Sequence, residues 1–262
     1  AMFNIFKKPA KLEIDAYTRW APAYHYTPLV KAHHTLPQWW RDLPSVGRDQ
    51  WGFPSFKNMN MKSCNGFIDL YKVGIMVEYW NDLVITVTKS GISQNYALSE
   101  YNEDKPHPQF QWGAGFPGHH HIKLNGPWIM EERSGTPFLF CPALWHMDQM
   151  DTPKIMPGIV NFKYQFQINI NMFLPIREEP YEIRLKRGTP LVQLIPLSEK
   201  PIELRRHLVT GEKFAELDNR NHPDAAGKYS DRKRLLNRAE NRDQADQKCP
   251  FSWPKWTRRS SK

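Results

Sequence analysis

The clearest alternation of hydrophobic and polar positions lies in GIVNFKYQFQININMFLP. There Phe162, Tyr164, Phe166, Ile168 and Ile170 occupy one set of alternate positions, and Lys163, Gln165, Gln167, Asn169 and Asn171 the other. A strand sends successive side chains to opposite faces, so this period of two predicts a single strand with an apolar core face and an amide-rich opposite face. DLVITVTKSG alternates in the same way, with Leu83, Ile85 and Val87 set against Val84, Thr86 and Thr88 between turn residues. GFIDLYKVGIMVEYW, HHHIKL, PWIMEE, TPFLFCPALW, YEIRL and PLVQLIPL are further strand candidates, separated by turn signals such as NGP and SGTP. Many short strands at this spacing predict a mainly β fold with a β-sandwich, jelly-roll or β-clip core.

The pattern divides the chain into residues 1–65, 66–209 and 210–262. The first part holds the short alternating run LEIDAY and then a stretch too rich in proline for a long helix, which predicts a Pro/Trp-rich N-terminal wrapping arm. Trp39 and Trp40, between Pro37 and Pro44, are expected to pin that arm to the core. The second part is the β-rich core domain. It includes a segment rich in Pro, Gly and Gln from Asn102 to Gly118, read as a long, functional loop. The third part is a charged helical C-terminal extension, because GEKFAELDNR and SDRKRLLNRAENRDQADQ suit helices but offer too few apolar positions for a second core.

Composition narrows the class. Forty per cent hydrophobic and 24% charged residues are ordinary for a globular chain. No apolar run approaches the roughly 20 residues that span a bilayer, and the start lacks the features of a secretion signal, so no membrane association is expected. Cys64, Cys141 and Cys249 are odd in number and widely spaced, which fits reduced, packed thiols better than disulfides or a zinc ribbon. The net charge of +9 is concentrated at the end: from Arg205 to Lys262 there are fifteen Lys and Arg against eight Asp and Glu. Asp231, Glu240, Asp243 and Asp246 interleave with those bases, so nucleic acid is not the expected partner. Phe251, Trp253 and Trp256 point instead to docking on the body, on a second copy or on a partner protein.

Two constellations are candidates for chemistry. After Gly113 come His119, His120 and His121; alternate positions of a strand share a face, so His119 and His121 are candidate ligands for a divalent transition metal. The glutamate that would complete a cupin-like metal motif is absent, positions 125 and 126 being Asn125 and Gly126, and polar strand-edge or substrate-contacting histidines are the alternative. His146 and Asp148 form an HxD pair, two thirds of a non-haem iron triad, for which His207 would be the third ligand and Arg205 or Arg206 the oxoacid partner. No GxSxG, Walker, GxGxxG, HExxH or zinc-deaminase pattern is present.

The blocks LPQWWRDLP, MKSCNGFIDLYKVGI, HIKLNGPW, PGIVNFKYQFQININMF and GTPLVQLIPLSEKPIEL resemble a group of uncharacterised proteins of marine bacteriophages, including those of cyanobacteria, over about Met2 to Val209. The resemblance implies a phage source, hence the host cytoplasm or the virion as location. PGIVNFKYQF and KRGTPLVQLIPL are also similar in order and spacing to the closing strands of the β-clip dUTPases and dCTP deaminases. The acid that holds the attacking water in that family is replaced here by Asn161, and an amide cannot take the proton as a carboxylate does.

The resulting expectation is a phage accessory protein that holds a small polar ligand, with a metal as one option. Trp128, Gln165, Gln167 and Asn169 are the candidate ligand contacts, and His119, His121, His146 and Asp148 the candidate metal ligands. The rival expectations are a virion structural or assembly protein without an active site, and a non-haem iron oxygenase. Whether the chain is an enzyme is open at the level of sequence.

Overall fold

A computed structural model describes residues 10–44, 51–53, 60–97, 105–106, 116–143, 145–146, 153–221 and 233–238. The described residues begin with β1 (Leu12–Thr18), α1 (Ala21–Tyr26), β2 (Val30–Lys31), α2 (Gln38–Asp42) and α3 (Asn65–Lys72). The strands β3 (Ile75–Glu78), β4 (Leu83–Val87), β5 (Ile92–Tyr96), β6 (Lys105–Pro106) and β7 (His119–Glu132) follow. Then come β8 (Phe138–Pro142), β9 (Lys154–Ile155), β10 (Gly158–Val160), β11 (Gln167–Pro175), β12 (Tyr181–Leu185), β13 (Pro190–Pro196), β14 (Ile202–Leu208) and α4 (Gly211–Asn221). The fold is mainly β, as the alternation predicts.

A six-stranded sheet runs β14-β1-β7-β11-β9, with β6 also paired to β7; a five-stranded sheet runs β10-β8-β13-β3-β2; and β12-β4-β5 make a third. The apolar positions of all three meet in one core. Ile14, Ile122, Leu124, Ile170 and Met172 come from the first sheet, Val77, Phe138 and Leu194 from the second, and Leu83, Ile85 and Leu185 from the third. This is the β-sandwich arrangement, stabilised chiefly by apolar area withdrawn from water.

Four segments depart from the sequence expectation. LEIDAYT is no attachment: β1 is hydrogen-bonded between β14, in parallel, and β7, antiparallel, so residues 1–65 contribute an internal strand to the main sheet. GFIDLYK forms α3 instead of a strand, because Phe67 and Tyr71 one turn apart share the buried face. Gln193, buried in β13, holds the end of that helix by donating to the carbonyls of Leu70 and Val73 at 2.7 and 3.0 Å. The long strand expected from GIVNF to NMFLP breaks into β10 and β11 at a turn over 162–164, although the parity of burial survives across the break. Finally, the start of the extension packs on the body, with Leu217 of α4 buried and Gln167 Nε2 donating to Asp218 Oδ1 at 2.8 Å.

The tryptophan pair packs at the edge of a second small core without being buried in it. Trp40 stacks on Phe67 at 6.1 Å beside that core, which contains Ala32, Tyr71, Met76 and Ala143. Trp39 packs against Phe67 and Trp145 and donates from Nε1 to the Trp145 carbonyl at 3.0 Å. Of the thiols, Cys141 is half-buried, whereas Cys64 is exposed and departs from the expectation of a packed thiol; Cys249 lies outside the described residues. Phe251, Trp253 and Trp256 also lie outside them. No helix among the described residues is long and apolar enough to cross a membrane.

Candidate functional site

Pairing of β7 with β11 sets out the most polar strip of the main sheet. The register places His119 opposite Pro175, His121 opposite Phe173, Lys123 opposite Asn171 and Asn125 opposite Asn169. The intervening residues, Ile122, Leu124, Ile170, Met172 and Leu174, are fully buried in the core, so the odd-numbered set faces away from it. On the far side of β11, β9 brings Lys154 opposite Phe173. The strip is built from imidazoles, amides and lysines, and neither His119–Asn125, Asn169–Pro175 nor β9 contains a carboxylate. It ends where the register shifts between Gln167 and Asn169. Gly126 permits the shift, because a Cβ there would lie 2.8 Å from the Ile168 carbonyl oxygen.

At one end the imidazoles are set among phenyl rings. Phe116 lies 4.4 Å from the His119 ring and 4.8 Å from Phe173, and Phe173 lies 4.8 Å from His121. Lys154 Nζ sits 5.5 Å over Phe116. A carbonyl only accepts, so the 3.1 Å contact of His119 Nδ1 with the Pro117 oxygen assigns the proton to Nδ1. Its Nε2 is buried and has no hydrogen-bond partner. His121 Nε2 contacts Asn171 Oδ1 at 3.2 Å. His120 turns to the other side and donates from Nε2 to the Thr88 carbonyl at 2.8 Å, tying β7 to the β4–β5 turn.

Lys123 lies on β7 between Asn171 of β11 and Lys105 of β6. It is half-buried, and it makes no hydrogen bond or ion pair with any described residue. Burial lowers its pKa below the usual lysine range. Asn169, also half-buried, likewise leaves its amide unbonded within the described structure. A half-desolvated cation with no anion among the described residues is unfavourable by itself, and a nearby negative charge would relieve it. An opposite charge at about 4 Å is worth roughly 4 kcal/mol at the effective dielectric near a protein surface.

The other predicted residues lie elsewhere. Trp128 is buried in the main core and packs beside Tyr24 at 6.4 Å, a packing role that its spacing in the sequence does not reveal. Gln165 is exposed in the turn before β11, and Gln167 is engaged by Asp218 of α4. His146 is beside Tyr71 at 5.8 Å in the second core, away from the sheet that carries His119 and His121. Its Nε2 is buried without a partner, and burial, helped by the charge of Arg41, pushes its pKa down to about 4. Asp148 lies outside the described residues. His207 is bound to Asp15 at 2.9 Å and stacked on Tyr17, and Arg205 is bound to Asp15 and Glu13, so neither is gathered around His146. Among the described residues no three His, Cys, Asp or Glu side chains come together as a metal site.

The sequence names His119, His121 and Asn169 as candidates, and the register sets them on this strip, whereas Lys123, Asn171, Phe116 and Phe173 are not among its candidates. Lys123 and Asn171 were open to the same period-of-two argument, since each shares parity with a residue that was selected. The β7–β11 register that brings them together is a long-range fact with no local signal. No known protein family matches the chain, and no curated protein is similar to it.

Proposed function

We propose that the outward strip of β7 and β11 binds a small anionic, hydrogen-bonding molecule, and that the chain is a phage-encoded accessory protein acting through this binding in the host cytoplasm. The observation that carries the proposal is Lys123, half-buried and without an anionic partner among the described residues, on a strip of His119–Asn125, Asn169–Pro175 and β9 in which the described positions include no carboxylate. In this reading Lys123 is the charge partner, Asn169 and Asn171 offer amide hydrogens, and Lys154 with Phe116 bounds the ligand at the histidine end. The resemblance to phage proteins supports the setting. A metal has no part in the reading.

The test is calorimetric titration of the full chain with inorganic phosphate and with a sugar phosphate. Lys123→Gln is expected to weaken binding at least about tenfold, the loss of one favourable charge contact of ~1.4 kcal/mol or more. Lys89→Gln, on the β4–β5 turn and paired with Glu178, is expected to leave it unchanged. Saturable binding absent from the parent chain, or equal in Lys123→Gln, would refute the proposal.

A second reading, attachment to a virion partner, draws on Trp39 and Trp145. Their rings are 5.9 Å apart and each residue is more than a third exposed, at 38% and 39%. Stoichiometric copies in purified virions would favour it, and absence from them would remove it.

A further inference from the structure

We infer that Lys123 is a nucleophilic amine that condenses with small anionic carbonyl compounds, forming an imine on the strip of β7 and β11. The inference rests on the anion-binding reading of that strip and deepens it by naming the ligand's reacting group. Most lysines whose contacts are described are held as cations by carboxylates: Lys11 by Glu203, Lys72 by Asp69, Lys89 by Glu178 and Lys213 by Glu216. A carboxylate beside an amine favours its charged form over the neutral one. Lys123 is placed otherwise. The pairing of β7 with β11 sets it opposite Asn171, which is already engaged with His121, and no described carboxylate or hydrogen-bond acceptor stabilises its charged form.

Desolvation without a counter-charge raises the fraction of neutral amine, the property that suits lysines to imine chemistry. The downward direction of its pKa agrees with that placement. Asn169, two residues along β11 from the Asn171 that faces Lys123, has its amide uncommitted and offers the ligand's anionic group a partner beside the amine.

The step balances without an oxidant or reductant. The Nζ lone pair attacks the carbonyl carbon, a C–N bond forms, and the carbonyl oxygen takes up a proton while the nitrogen releases one. The carbinolamine then expels its hydroxyl as water, the nitrogen gives up its remaining proton, and a C=N bond results. The net change is amine plus aldehyde to imine plus water.

The experiment uses the full chain and pyridoxal phosphate, an anionic aldehyde, with borohydride reduction at intervals and mass-spectrometric mapping of each lysine. Lys123 is expected to be modified at least about fivefold faster than the exposed Lys89 and Lys154, reflecting its larger neutral fraction. Excess inorganic phosphate is expected to slow that reaction, and Lys123→Arg, which keeps the charge, to abolish the fast phase. Modification of Lys123 no faster than that of exposed lysines overturns the inference. If phosphate still binds by calorimetry in that case, only the nucleophile falls and the anion site stands. Fast modification of Lys123 by glycolaldehyde, a neutral probe, with no phosphate binding or protection, retains the amine and refutes the anion reading on which the carbonyl class was chosen.

Discussion

Arg205 grips Asp15 through two parallel hydrogen bonds, Nε to Oδ1 at 2.9 Å and Nη2 to Oδ2 at 3.0 Å. The two are register partners on β14 and β1, so the last strand of the sandwich is clamped to the first. His207 adds a 2.9 Å contact to the same Oδ1, with its ring stacked on Tyr17 at 4.7 Å, and Glu13 takes a further hydrogen from Arg205. Burial alone would raise the Asp15 pKa. The hydrogen bonds and charges of Arg205 and His207 outweigh it, and the carboxyl titrates below its ordinary value of 3.8.

A depressed carboxylate pKa stabilises the fold above the unfolded value and loses that contribution as pH falls through the folded one. Urea titrations are therefore expected to show stability declining below about pH 4. Asp15→Asn should cost about 1–3 kcal/mol at neutral pH, because a bidentate charge-assisted pair is lost, and should flatten the acid limb. An acid limb of the same steepness in Asp15→Asn would exclude Asp15 as its source.

His146 provides a separate titration at higher pH. Burial, and then the charge of Arg41, lowers its pKa from 6.5 to about 4, so the folded state resists a proton that the unfolded chain accepts. Stability is then full above the unfolded value and falls as pH drops from about 6.5 towards 4. The loss is on the order of 2 kcal/mol once partial solvent screening is allowed for. His146→Phe, which keeps a ring against Tyr71, is expected to remove that slope while holding the midpoint at pH 7 within about 1 kcal/mol. An unchanged slope between pH 6.5 and 4 would assign the titration to another group.

The strands were legible where burial is one-sided. DLVITV and QININMF carry their apolar residues at every second position, and both form strands whose alternate residues are buried. GFIDLYK was not legible, since a short apolar run fits either period and its helix is decided by contact with the second core. The candidate site was half legible for a related reason. Parity selected the correct face of β11, but which residue lies opposite which depends on pairing between segments some 50 residues apart, as in His121 and Asn171.

Asn161 shows what the amide does where the β-clip resemblance would have an acid. Its Nδ2 donates to the Gly135 carbonyl at 2.7 Å and its Oδ1 accepts from the Lys163 amide at 3.0 Å, so it ties the β7–β8 turn to the β10–β11 turn. A carboxylate keeps the second bond but presents an acceptor to the Gly135 carbonyl. Asn161→Asp is thus expected to cost about 1–3 kcal/mol, the penalty for a half-buried carbonyl left without its donor and facing an acceptor, and to confer no dUTP hydrolysis. Thermal melts at neutral pH check the first expectation and pyrophosphate release the second; an equal or higher melting temperature would contradict this account of the turn.

The sequence divides at residue 210, yet α4 begins at Gly211 and contributes a buried Leu217, a Phe214 ring 5.6 Å beneath the Arg19 guanidinium, and the Asp218 contact with Gln167. Burying one leucine is worth about 1.5–3 kcal/mol, whereas an exposed cation–π contact adds only about 0.5–1 kcal/mol. Beyond α4, Tyr164 OH donates to Asn237 Oδ1 at 3.0 Å, a neutral hydrogen bond between described residues whose net value is about 1 kcal/mol. A chain ending at Asn221 is therefore expected to unfold in urea within about 1 kcal/mol of the full chain, and one ending at Val209 to be about 2–3 kcal/mol less stable while still unfolding cooperatively. Equal midpoints for the two shortened chains would mean that Leu217 adds nothing to the core, and loss of the cooperative transition at Val209 would mean that the sandwich cannot stand without α4. Leu217→Ala in the full chain separates these causes, because it removes the side chain and leaves the helix: a loss of about 2 kcal/mol places the effect in the buried leucine and not in chain length.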